Sequence, residues 1–332
     1  LDEQFAGQLA AYIGQEIDVT DDMSMKYGLR GSYYSYLGPG TAYTYGDTTV
    51  GIAKPLISEE KFDDFANIAD YFNLEPRFSV KYQMDEESSI KASYNRMVQY
   101  VHLVSNTAAS SPLDVWTPTT NNIKPEIADQ VALGYFRNFD DNEWETSVEV
   151  YYKDLQNQIQ YRNGADLLLN EYLEGDFLSG DGRAYGAEFY VKKNKGDLTG
   201  WISYTLAKTE VQVDGINSGD WFPTRFDRTH NLSIVGFYDL SETWSLSANF
   251  LLSSGTPATF PTNRFEWQGY YVPHNSEESR NNFRIPMTHR LDLSLTYDPV
   301  DDPDEWWTGK WVFSIYNVYN RKNPYSVYFR NN

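Results

Sequence analysis

The feature that most restricts this chain is a hydrophobic period of two, sustained over segments of about ten residues or more. From Phe72 onward, Phe72, Leu74, Pro76, Phe78, Val80, Tyr82 and Met84 alternate with Asn73, Glu75, Arg77, Ser79, Lys81 and Gln83. A β-strand sends successive side chains to opposite faces, so this segment has one oily face and one wet face. Trp244, Leu246, Ala248, Phe250 and Leu252 alternate with Ser245, Ser247 and Asn249. Met287, His289, Leu291, Leu293, Leu295 and Tyr297 alternate with Arg290, Asp292, Ser294 and Thr296.

Twelve such strands are predicted, over 5–19, 23–35, 71–84, 88–104, 125–139, 143–158, 181–194, 198–212, 227–240, 243–256, 285–298 and 310–320. Their connections alternate in length. Thr20–Asp22, Asp85–Glu87, Asp140–Asn142, Lys195–Asp197 and Ser241–Glu242 read as tight polar turns, with Pro299–Gly309 a longer one on the same side. Long connections rich in Gly, Pro, Asn and Tyr fall at 36–70, 105–124, 159–180, 213–226 and 257–284. Short turns on one side and long loops on the other are the layout of an outer-membrane barrel. A soluble β-sandwich or propeller also alternates, but strands this long with consistently one-sided loops are unusual there.

Composition supports the same class. No stretch approaches the roughly 18 consecutive apolar residues of a membrane-spanning helix. Aromatic residues make up 16% of the chain, with 27 Tyr and 9 Trp, which suits rings at a membrane interface. A formal net charge of -20 argues against a nucleic-acid partner. Without cysteine, neither a disulfide framework nor thiolate chemistry is available. The opening LDEQFAGQL has neither a basic nor an apolar leader region, so any export signal is expected outside these residues.

Aromatics orient the strands. Trp144, Trp244 and Trp311 each follow a short connection, while Phe139, Tyr238 and Tyr297 each precede one, a spacing that predicts a periplasmic aromatic girdle. The best ligand-binding candidates lie in the long loops: Tyr43, Tyr45, Trp116, Trp221, Phe222, Trp267, Tyr270 and Tyr271 could stack on or enclose a small solute, or equally pack the loops together. Charges on the wet face, such as Arg30, Arg77, Lys81, Lys91, Glu145, Glu149, Lys153, Glu188, Lys192, Arg290 and Asp292, are expected to pair across strands.

No catalytic, cofactor or metal site is expected. The four histidines form no metal-binding spacing. His230 with Ser233 and His289 with Ser294 invite a lipid-hydrolase reading, yet alternation sends each histidine and its serine to opposite faces. Gly180, Gly182 and Gly186 miss the dinucleotide-binding spacing and precede a strand, so a turn with a small packing residue is expected. Asp298, Asp301, Asp302, Asp304 and Glu305 could gather calcium, but prolines interrupt the run and a solvated turn is favoured.

Parity adds a further expectation. The first strand runs toward the short-turn side and the last runs away from it. A single-chain barrel has an even strand number, so an odd number of strands should precede Phe5 and a descending strand should follow Asn332. Lone edges cannot face lipid with unpaired backbone groups.

Several stretches resemble TonB-dependent outer-membrane receptors, in particular those with a carboxypeptidase-regulatory-like N-terminal domain. They are KPEIADQVALGYFRNF from Lys124, SVEVYYKDLQNQI from Ser147, GDGRAYGAEFYVKK from Gly180, FDRTHNLSIVGFYDL from Phe226 and SIYNVYNRKNPYSVYF from Ser314. The resemblance implies an all-β fold: a transmembrane antiparallel up-and-down β-barrel of about 22 strands around a plug, of which residues 1–332 supply about twelve C-terminal ones. Plug domain, N-terminal strands and final strand would lie elsewhere. It also implies outer-membrane lipid around the wall, a TonB-type energy-coupling complex acting through N-terminal segments, a scarce small solute, a surface lipoprotein partner and no cofactor. A passive porin or surface-binding barrel without energy coupling is the alternative.

Overall fold

The computed structural model describes residues 3–47, 52–104, 115–165, 170–274, 280–299, 309–324 and 327. Twelve strands form its wall: β1 Phe5–Thr20, β2 Met23–Leu37, β3 Asn67–Gln83, β4 Ser88–Gln99, β5 Glu126–Phe139, β6 Trp144–Tyr161, β7 Phe177–Lys193, β8 Leu198–Gln212, β9 His230–Asp239, β10 Trp244–Ser253, β11 Thr288–Tyr297 and β12 Trp311–Ile315. They lie in one sheet in chain order, each antiparallel to the next, the up-and-down path expected from the alternating connections.

Short turns close one end of the sheet. Between β5 and β6, Asp140, Asp141 and Asn142 all take positive φ (51°, 56° and 62°), and the Glu143 amide donates to the Asp140 carbonyl at 3.1 Å. Asp and Asn tolerate this left-handed region because their short polar side chains bond locally.

Register keeps the two faces separate along the whole sheet. On the outer face, Tyr33, Gly31 and Tyr27 of β2 sit opposite Phe72, Leu74 and Phe78 of β3. Val148 and Val150 of β6 sit opposite Phe189 and Ala187 of β7, which in turn face Tyr204 and Leu206 of β8. These apolar side chains stay uncovered: Phe72 is 66% exposed and Ile13 77%. A sandwich would bury them against a second sheet, and among the described residues no such layer covers them.

Polar and buried groups concentrate on the inner face. Glu75 is only 2% exposed. It accepts from Arg30 Nη1 and from Ser32 Oγ at 2.9 Å, and Arg77 Nη2 lies 4.0 Å away. Ser32 Oγ also pairs with the Tyr100 hydroxyl at 2.8 Å, to which Asn73 Nδ2 donates at 2.9 Å. Tyr34 and Tyr100 stack with centroids 4.8 Å apart. Glu145 and Lys192 form an expected cross-strand inner pair, whereas Arg290 and Asp292 pair within β11.

Three features depart from the expected strand plan. The segment 88–104 divides: pairing of β3 with β4 stops at Arg77 and Asn95, β4 ends at Gln99, and Val101–Val104 joins a separate hairpin with Val115–Pro118. Tyr100 sits at the break, turned onto the inner-face tyrosine stack. β12 stops at Ile315 because Asn317 and Asn320 take positive φ, the Asn317 amide donating to Asp292 Oδ1 at 2.8 Å. Gly180, Gly182 and Gly186 lie inside β7 rather than at a turn. A Cβ at Gly180 would come 2.1 Å from the Gln212 carbonyl oxygen, and one at Gly186 2.6 Å from that of Leu206, so the close approach of β8 requires glycine at both.

The buried Glu75 network yields a test. Glu75→Ala strands the Arg30 guanidinium and removes one of the two partners of the Ser32 hydroxyl, and should lower the unfolding free energy of the complete refolded receptor by about 1–3 kcal/mol. Glu59→Ala on an exposed hairpin should change it by less than about 0.5 kcal/mol, both read from urea unfolding.

Candidate functional site

At the long-loop end, three connections knit together. A hairpin of Gly40–Tyr45 and Leu56–Phe62 packs against the turn Leu173–Asp176 and the segment 119–123. The Tyr43 carbonyl accepts from Asn121 Nδ2 and Asn122 Nδ2, both at 2.9 Å, and the Lys54 amide donates to the Gly175 carbonyl at 2.9 Å. The Tyr43 hydroxyl donates to Glu171 at 3.1 Å and its ring meets Tyr172 edge-on at 5.3 Å. Tyr45 lies so close to Gly175 that a Cβ there would come 2.9 Å from its ring. Desolvation, aided by Glu171, pushes the Tyr43 phenol up to about 12. Burial likewise raises the Glu174 carboxyl pKa, against donation from Asn122 and Thr120 and attraction from Lys54. Both tyrosines thus act here as loop-packing groups.

The remaining loop aromatics do not converge. Trp116 is exposed on the Val101–Val104 and Val115–Pro118 hairpin. Trp267, Tyr270 and Tyr271 project from a finger, Asn263–Trp267 paired with Tyr270–His274, whose turn residues Gln268 and Gly269 take positive φ. Trp221 lies under the Arg183 guanidinium at 4.2 Å on the outer face. Phe222 is buried with Val211, Val213 and Ile216.

Phe222 also borders a cavity of about 710 Å³ on the inner side of the loops. Sequence reasoning missed its polar lining: Arg225, Arg228, Arg280, Tyr161, Thr209 and Thr224. Arg280 is only 7% exposed. Its Nη2 donates to Asn163 Oδ1 at 2.6 Å, its amide donates to Asn217 Oδ1 at 2.9 Å, and its guanidinium lies 4.7 Å over the Tyr161 ring. Two buried atoms in this lining, Arg280 Nη1 and Thr224 Oγ1, have no hydrogen-bond partner among the described residues. Burial lowers the Arg280 pKa, the mark of an uncompensated cation. Below it, Asp227 accepts from the Thr209 amide at 2.7 Å and pairs with Arg284, fixing the loop that carries Arg225 and Arg228. The sequence signal was the pair of arginines in FPTRFDRTH, basic residues in a long loop of an acidic chain.

The outer face is bounded at both ends. At the short-turn end, Trp144 faces Phe139, Tyr238 faces Leu198, and Trp244, Tyr297 and Trp311 line up across β10, β11 and β12. All six predicted girdle aromatics share this face and end. Toward the long loops, Arg96, Asp129, Asp154, Arg183 and Glu210 stand in direct register across β4 to β8. Arg96 clasps Asp129 through Nε at 2.8 Å and Nη2 at 2.7 Å, and Glu210 takes Arg183 at 2.8 Å and Lys208 at 2.6 Å.

The family model described as TonB dependent receptor-like, beta-barrel, matches residues 2–320. The chain belongs to this TonB-dependent receptor β-barrel family. Solved family structures share its fold. The ferripyoverdine receptor of Pseudomonas aeruginosa aligns over 95% of this chain and 35% of its own, at 14% identity and TM-score 0.61. The ferric-catecholate import receptor Fiu from E. coli K12 aligns over 96% and 41%, at 14% identity and TM-score 0.61. The ferric citrate transporter FecA gives 96% and 41%, also at 14% identity and TM-score 0.61. The chain therefore spans well under half the length of these structures. No curated protein sequence matches it.

The hydrolase geometry does not assemble on this TonB-dependent receptor wall. His230 Nδ1 pairs with the Tyr204 hydroxyl at 2.8 Å and His289 Nδ1 with that of Tyr319 at 2.7 Å. Ser233 faces Ser203 and Ser294 bonds Ser314 at 2.9 Å, each on the face opposite its histidine. Among the acidic run, Asp298 pairs with Lys310 at 2.7 Å; Asp301, Asp302, Asp304 and Glu305 lie outside the described residues.

Glu174 supplies a pH test. Its folded-state pKa exceeds the unfolded value, so no penalty exists below the unfolded pKa, and loop stability falls as pH rises toward and through the raised one. Amide protection factors in Gly40–Tyr45 and Leu56–Phe62 of the complete receptor, corrected for intrinsic exchange, should fall as pH rises above the ordinary carboxylate range, and Glu174→Gln should flatten this fall.

Proposed function

We propose that this chain is the wall and outer-loop portion of a TonB-dependent receptor that takes up a scarce solute by energy-coupled transport across the outer membrane of a Gram-negative bacterium. The observation that carries this reading is the split character of the wall: an uncovered apolar outer face, and a polar inner face leading to a cationic cavity beneath long loops. In each of β5, β6 and β7 the charged row lies about ten residues from the short-turn end. At ~3.3 Å per residue and a tilt of ~45°, that interval spans about 24 Å, the height of the apolar band of an outer-membrane barrel. The aromatics at the short-turn end then act as the periplasmic girdle, and the charged row meets the outer headgroups.

Strands preceding Phe5 and following Asn332 complete the closed wall, and N-terminal segments engage a TonB-type complex. A surface lipoprotein would find its contact on the exposed Trp267, Tyr270 and Tyr271 finger. The cavity beneath the loops receives the solute, and the exposed loop aromatics offer its first contacts.

Two measurements test this. Leu206→Arg, at mid-height on the outer face, should cost about 2–4 kcal/mol of unfolding free energy for the complete receptor in lipid vesicles. Thr205→Arg on the inner face should cost under about 1 kcal/mol, and equal costs would remove the lipid-facing assignment. In cells, receptor-dependent growth on the limiting nutrient should stop when the inner-membrane proton gradient is dissipated or the TonB-type protein deleted; persistence would instead establish a passive pore.

A further inference from the structure

We propose that the cavity around Arg280 is an anion site, taking a carboxylate or phosphate oxygen of the captured solute between Arg280 Nη1 and Thr224 Oγ1, with Arg228 in the same lining supplying further positive charge. The inference deepens the uptake reading and rests on it.

The argument begins from an imbalance. Among the described residues that line the cavity, Arg228 and Arg280 stand with one carboxylate, Glu126, in a chain whose formal net charge is -20. Cations gathered against so negative a background indicate a local requirement for positive potential. Glu126 is itself directed toward His102, Nδ1 of which lies 3.7 Å from its Oε1.

Arg280 is held, not loose. Asn217 clasps its backbone from both sides, its Oδ1 accepting from the Arg280 amide at 2.9 Å and its Nδ2 donating to the Arg280 carbonyl at 3.0 Å. Asn163 fixes Nη2 and the Tyr161 ring supports the guanidinium plane. What remains is Nη1, a charged donor buried against the cavity with no partner among the described residues. Burying such a group is unfavourable unless an acceptor meets it, and a guanidinium's fixed fork suits a planar carboxylate or a phosphate. Thr224 Oγ1, in the same lining and equally unpartnered, supplies a second donor. Phe222 and Phe226 border the same space, so the preferred solute carries its anionic group beside an apolar portion.

The test uses the complete receptor in lipid nanodiscs, titrated calorimetrically with citrate and, separately, with inorganic phosphate. Wild-type receptor should bind at least one saturably, more weakly as salt rises. Arg280→Met should raise the Kd about tenfold or more, the fold-change of losing one charge-assisted hydrogen bond. Arg280→Lys should recover part of that loss, because charge persists without the fork. Heat-dependent electrophoretic mobility verifies barrel folding. Should Arg280→Met not fold, Thr224→Val takes its place, with an expected severalfold loss. Binding of neither anion to the wild-type receptor, or unchanged binding by the folded variant, overturns the proposal. The titration needs no energy source, so its failure leaves energy-coupled uptake standing, while loss of coupling in cells leaves anion binding intact.

Discussion

Everything in this wall depends on antiparallel pairing whose register keeps the oily rows of neighbouring strands on one face. Because the side-chain period is two, a one-residue slip between any two strands would turn a whole strand inside out. The pairs Tyr33 with Phe72, Val150 with Ala187 and Ala187 with Leu206 illustrate how the constraint passes from strand to strand. Local left-handed turns such as Asp140–Asn142 fix the starting point of each pairing, and the apolar faces then reinforce it.

The inner face uses a different physics. Glu75 is secluded, yet Arg30, Ser32 and nearby Arg77 satisfy it, so the polar groups interlock instead of being excluded. At the loop end the same logic is left incomplete, because Arg280 Nη1 and Thr224 Oγ1 are buried without a hydrogen-bond partner among the described residues.

Much of the wall was legible in the sequence because alternation and turn residues are local signals. Strand β8 begins and ends where periodicity placed it, at Leu198 and Gln212, and the six girdle aromatics fall on one face and end. The break at Tyr100 was overlooked although alternation falters there, Tyr100 and Val101 being adjacent apolar residues, and stacking on Tyr34, a long-range contact, turns the chain aside. The glycines of β7 were assigned to a turn because the sequence does not reveal how near β8 approaches. The partners of the loop aromatics were not legible: Tyr43 and Tyr45 face Tyr172 and Gly175, and Trp221 lies under Arg183, contacts brought together by folding alone. The cavity arginines went unnoticed because Arg280 is 52 residues or more from Arg225 and Arg228 (280 minus 228 is 52) and no local pattern joins them.

The row of charges across β4 to β8 has a consequence for where such a wall can reside. In the bilayer placement proposed above, it works as a depth stop. A hydrocarbon layer a few ångströms thicker would draw the Arg96 and Asp129 pair and the Arg183, Glu210 and Lys208 cluster into oil, and a thinner one would leave the upper apolar rungs wet. Mismatch of either sign is penalised, so strand length and ion-pair height together match this wall to a thin membrane, independently of any solute the mouth admits.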